Sequence, residues 1–77
     1  GDYRTSLQEV ESALDANPNL ALAYARRGSI YFKLGDLQRA TINWNLALRM
    51  DPEYDDVRNV LKALHEKRLK STSMIKE

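Results

Sequence analysis

From Asp2 onward, apolar residues fall at Tyr3, Leu7, Val10 and Leu14, spaced by 4, 3 and 4, and so line one face of a helix. Asn17-Pro18 stops that helix, because the residue before a proline is pushed out of the α region. A second stretch carries Leu20, Ala23, Tyr24, Ile30, Tyr31 and Leu34 and ends at Gly35, the residue type best suited to a left-handed helix exit. Asp36 can then cap a third helix by accepting from its free first-turn N–H groups. That helix shows Leu37, Ala40, Trp44, Ala47 and Leu48, and Asp51-Pro52 closes it. Asp55-Asp56 bring negative charge to the start of a fourth segment. It carries Val57, Val60, Leu61 and Leu64 before turning basic at Lys67, Arg68 and Lys70. The pattern predicts helices near 2–17, 20–34, 36–50 and 54–69, a flexible tail at 71–77 and no strand. Connections this short fold each helix back on the one before. The predicted class is all-α: antiparallel helix-turn-helix units forming a four-helix segment of an α-solenoid.

The pattern also repeats. A shift of 34 residues places Gly1-Asp2 on Gly35-Asp36, Ala13-Leu14 on Ala47-Leu48 and Pro18 on Pro52. These are a turn glycine, a helix-starting aspartate, two core positions and a helix-ending proline, so the period is structural. Beyond Leu20 the overlap degrades, with Gly28 landing on Lys62 and Tyr31 on His65.

Tyr24, Arg27-Gly28, Tyr31, Ala40, Trp44 and Pro52 together resemble the tetratricopeptide repeat. That pattern runs aromatic, two residues, Leu-Gly, two residues, Tyr, then Ala, three residues, an aromatic and finally Pro. The resemblance implies one domain over 1–70. Within it, 21–54 is a complete repeat, 1–20 the second helix of a preceding one, and 55–70 a following or capping helix. Gly28 and Ala40 are then small where two helices cross, and Tyr24, Tyr31 and Trp44 fill the space beside them. Arg27 departs from the family, which places leucine there. A buried unpaired arginine is costly, so solvent exposure is the expectation. Snorkelling along its stem, pairing with an acid, or facing a surface that a missing helix would cover are the alternatives.

Composition narrows the chemistry. Seventy-seven residues hold one small core, and 43% hydrophobic residues is too many for a disordered tail. No apolar run approaches the roughly 18–20 residues of a membrane span, and no signal peptide is visible. The chain does not begin with methionine and is expected to be a piece of something longer; its compartment stays open. Zero cysteines exclude disulfides, thiolate zinc sites and cysteine nucleophiles. His65 has only Glu66 as a close oxygen partner, Ser6, Ser12 and Ser29 lie inside helices, and Asp55-Asp56 read as a helix start. No catalytic residue, metal site or cofactor is expected, and the chain is expected not to be an enzyme.

Binding is the remaining class. The resemblance implies a concave groove lined by first helices, which here would carry Leu22, Ala25, Arg26, Ser29 and Lys33, then Asn59, Val60 and Ala63. Arg26 and Lys33 can meet ligand carboxylates. Some family members clamp a chaperone's C-terminal carboxylate; Arg26 fits one such place, but Leu22, Ala25, Ser29 and Val60 do not supply the rest. The expected function is therefore a scaffold or adaptor that binds a peptide or partner protein. The uncovered flank of the first helix, at Tyr3, Leu7 and Val10, is expected to meet another copy or a neighbouring repeat of a longer parent. The alternative is a basic surface for RNA or anionic membrane at Lys62, Lys67, Arg68 and Lys70. Net charge is only +1 and no aromatic is interleaved there, so neither nucleic acid nor membrane is the expected partner.

Overall fold

In a computed structural model that describes residues 2–76, with side chains through Lys67, the chain folds as α1 (Tyr3–Ala16), α2 (Ala21–Lys33), α3 (Leu37–Met50) and α4 (Asp55–Lys76). No strand occurs among the described residues. The polar punctuation sets the boundaries. Asp2 Oδ1 accepts from the Arg4 N–H at 3.0 Å, and Asp36 Oδ1 accepts from the Arg39 N–H at 3.1 Å. Both remove an unpaired donor from a helix start. The Asp2 carboxyl titrates below its ordinary range, first because the Thr5 hydroxyl donates to it and then because the Thr5 and Arg4 backbone N–H groups do. Gly35 leaves α2 at φ 84°, where the Asp36 N–H reaches the Tyr31 carbonyl at 2.9 Å and the Gly35 N–H reaches that of Phe32 at 3.1 Å. A side chain at that φ would be strained, so glycine ends the helix there.

The two proline junctions are built alike. Asn17 Oδ1 accepts from the Asn19 N–H and Asp51 Oδ1 from the Glu53 N–H, each at 3.1 Å. These Asx turns lie one 34-residue period apart and make the same reversal. One boundary differs from the sequence expectation. α4 runs to Lys76 where a helix ending near 69 and a flexible tail from 71 were expected. Ser71, Thr72 and Ser73 are weak helix formers, costing about half a kcal/mol each relative to alanine, but no glycine or proline follows to stop the helix. Glu77 lies outside the described residues.

Packing runs in series: α2 lies against α1 and α3, and α4 against α3. One cluster holds Val10, Leu14 and Ala23; the other holds Ala25, Ala40, Trp44, Ala47 and Val57. Tyr24 packs against both, and its hydroxyl donates to the Pro18 carbonyl at 3.1 Å. Gly28 is buried beneath the Trp44 indole. A Cβ added there would stand 2.5 Å from Trp44 Cδ1, too close for any side chain. The ring itself, and not only the crossing of backbones, thus requires the glycine. Trp44 Nε1 donates to the Ala25 carbonyl at 3.3 Å, which satisfies its one polar atom inside the core.

Arg27 is not bland surface. It is half-buried, its Nε donates to Asn43 Oδ1 at 2.6 Å, and its guanidinium lies 5.5 Å from the Tyr24 ring centre. Asn43, itself buried, uses its Nδ2 to donate to the Arg39 carbonyl at 2.8 Å. The partner is therefore a neutral amide on α3, and the arginine that stands in place of the family's leucine is matched across the hairpin.

Gly28→Leu and Ala40→Leu should each lower stability by about 1–3 kcal/mol through overpacking, and Trp44→Ala by about 3–5 kcal/mol, read by thermal and urea denaturation. Unchanged midpoints for the two leucine variants would contradict the packing described. Arg27→Leu alone should cost about 1–3 kcal/mol, because it strands the Asn43 carbonyl oxygen. Adding Asn43→Leu should restore most of that loss; a double variant no more stable than the worse single one would show that the pair is not coupled.

Candidate functional site

α2 turns one face to α3 and presents Leu22, Arg26, Ser29 and Lys33 on another. These four, with Ala25 on the same helix, Val60 on α4 and Tyr3 and Val10 on α1, line a single open cavity of about 620 Å³. Six of the eight groove residues expected from the sequence are thus brought together. Asn59 and Ala63 are exposed but lie outside the cavity. The face that α4 offers is Asp56, Val57 and Val60, one 34-residue period after Leu22, Ala23 and Arg26, which line the cavity on α2. Tyr54, Asp56 and Val57 were not among the residues expected from the sequence.

The lining is largely apolar with a charged margin. Arg26 and Lys33 come from α2, Glu9 from α1 and Asp56 from α4. Among the described residues, side-chain ion pairs form only between Arg39 and Asp36 (3.2 Å) and Arg58 and Asp55 (3.8 Å), so all four of these charges are without an ionic partner. Ser29 Oγ donates to the Ala25 carbonyl at 3.2 Å, the acceptor that also takes Trp44 Nε1, so its hydroxyl proton is already engaged. Leu22 is 46% exposed and Tyr3 is 37% exposed, two open apolar side chains on the same cavity.

The α1 flank is narrower than expected. Val10 is only 7% exposed, because it packs with Leu14 and Ala23 in the α1–α2 cluster, and Leu7 is half-buried and outside the cavity. Tyr3 is the open member of that trio. In the expected basic run, Lys62 and Lys67 are exposed, while the side chains of Arg68 and Lys70 lie outside the described residues. His65 borders a smaller cleft of about 220 Å³ with Leu37, Thr41, Asn45, Leu61 and Leu64, with no carboxylate or second imidazole among them. No cluster of three or more metal-ligating side chains occurs among the described residues, and no helix is long and apolar enough to cross a membrane.

Helical hairpins joined in series, locked by an aromatic seated on a glycine and opening on a shared cavity, define a helical-repeat module. Residues 21–54 match the tetratricopeptide repeat family. The chain is also 32% identical over 75 residues to RNA polymerase II-associated protein 3 of Xenopus tropicalis, an alignment covering 97% of this chain. It spans 11% of that relative's length. No solved structure matches the chain. The chain carries a tetratricopeptide repeat, a module of non-catalytic scaffolds that mediate protein–protein interaction.

Proposed function

We propose that the chain binds an acidic peptide segment of a partner protein in the cavity between α1, α2 and α4. The observation that supports this reading is the pairing of open apolar walls with unneutralised cations on one face of α2. Arg26 and Lys33 stand seven positions apart, so their backbones are separated by about 10.5 Å along the helix. Two carboxylates of a ligand at that separation meet both, Arg26 by a two-pronged contact and Lys33 as a point charge. Leu22, Val60 and Tyr3 supply the apolar contact that gives such a ligand affinity beyond charge. Glu9 and Asp56 on the other two walls disfavour a ligand with acids all round and favour one whose acids lie on a single side. Anything that covers Tyr3, whether a second copy or a neighbouring repeat, enters the same cavity and competes with that peptide.

A peptide selected against the chain from a random display library should be rich in Asp and Glu. Arg26→Glu and Lys33→Glu should each weaken it at least tenfold by fluorescence anisotropy, whereas Gln38→Ala and Asn45→Ala on α3 leave binding unchanged. Equal losses on both faces would contradict the assignment. In the same assay a single-stranded RNA should bind weakly. A tight RNA complex with a steep salt dependence would instead favour the basic end of α4.

A further inference from the structure

We propose that Ser29 is a phosphate-acceptor site whose phosphate, held between Arg26 and Lys33, closes the cavity to acidic peptides. The closing rests on the reading of the cavity as an acidic-peptide site; the acceptor and its two cations do not.

Sequence and position both single out this serine. Arg26-Arg27-Gly28 precede it and Ile30 follows, so two arginines stand just upstream and an apolar residue just downstream. A kinase whose substrate cleft is acidic selects that order by charge. Ser29 is exposed and lines the cavity. Arg26 is three places before it and Lys33 four places after, on one helical face, and neither forms an ion pair among the described residues. A phosphate there carries about −1.5 to −2 charges at pH 7 and oxygens enough to engage both. An anion four places ahead of a lysine is also the favoured order along a helix. The serines of α1 lack this setting. Ser6 has Glu9 three places on, and Ser12 adjoins Glu11 with Glu9 and Asp15 three places to either side. Like charge disfavours a phosphate at both.

In the closed hairpin Arg27 bonds Asn43, Gly28 lies under Trp44, and the Ser29 hydroxyl donates to the Ala25 carbonyl. A kinase takes its acceptor on an extended segment, so Ser29 is read when α2 opens locally, an excursion within reach of so small a core. Opening frees the hydroxyl. Its Oγ attacks the γ-phosphorus of ATP as the proton passes to the kinase's carboxylate base; the new O–P bond forms while the bond to the β-phosphate breaks, and ADP leaves. When α2 closes again, the phosphate stands on the cavity wall and takes both cations that a ligand carboxylate would use. With Glu9 and Asp56 opposite, the margin then repels acids.

The test has three readouts on the 77-residue chain. First, an arginine-directed serine kinase and ATP are added and the phosphate is placed by tandem mass spectrometry. Ser29 should be labelled, several-fold faster in Trp44→Ala, which releases α2, and not at all in Ser29→Ala. Ser71, with Arg68 three places before it, is the competing acceptor, and phosphate there but not at 29 would overturn the proposal. Second, the chain is made with phosphoserine at 29 and followed by phosphorus NMR against pH. The second phosphate pKa should lie at least about half a unit below its ordinary value of about 6 and return on Arg26→Gln/Lys33→Gln. An ordinary value in the parent chain, whether the phosphate is unpaired or has unfolded α2, would overturn it. Third, the phosphorylated chain should bind a library-selected acidic peptide at least tenfold more weakly than the unmodified one; equal binding would overturn the closing. An unmodified chain that binds no acidic peptide would sink the cavity reading alone, and the first two readouts would still decide the acceptor.

Discussion

The Trp44 indole seated on Gly28 is the contact on which the rest of the structure depends. The ring occupies the volume that any side chain at 28 would need, and its Nε1 is satisfied by the Ala25 carbonyl. A large flat side chain thus lies against bare backbone with no stranded polar atom. This brings α2 and α3 close enough for the alanines at 25, 40 and 47 to be buried. In a chain of 77 residues such contacts carry much of the stability, because few residues are available to bury area elsewhere.

The cavity follows from that seat. Trp44 reaches the cavity floor, and Val57 of α4 joins the same cluster, so the tryptophan ties two walls of the cavity to one side chain. The third wall, α1, is held differently. Val10 and Leu14 rest on Ala23, and Tyr24 bridges the two clusters while its hydroxyl holds the Pro18 carbonyl at the α1–α2 junction. Arg27 lies against Tyr24 and bonds Asn43, so a polar link crosses the hairpin beside the apolar one. Apolar burial provides most of the energy, and the polar link favours one register, since a slip would leave a buried amide and a guanidinium unmatched.

The helices were legible in the sequence because their ends are marked by residues with one physical use each. Gly35 at positive φ, Asp2 and Asp36 as caps, and the Asx-Pro junctions at 17–18 and 51–52 act locally and need no tertiary knowledge. Arg27 was illegible for the opposite reason. Its partner lies sixteen residues away and becomes visible only once the hairpin register is known. α4, by contrast, packs on the Trp44 cluster through Val57, Val60, Leu61 and Leu64, the residues its own spacing picks out. The cavity is lined on α2 by Leu22, Ala25, Arg26, Ser29 and Lys33 and also by Ala23 and Ile30, whereas Asn59 and Ala63 of α4 do not line it. The length of α4 escaped because Ser71–Ser73 weaken a helix without being able to end it.

The seating of Trp44 is most directly tested by two-dimensional proton NMR of the intact chain. The account predicts strong nuclear Overhauser cross-peaks from the Trp44 ring protons to the Gly28 α protons. It also predicts an indole N–H that exchanges slowly with solvent, because the Ala25 carbonyl holds it in the core. A rapidly exchanging indole N–H with no cross-peak to Gly28 would contradict it, and with it the hairpin geometry from which the cavity is built.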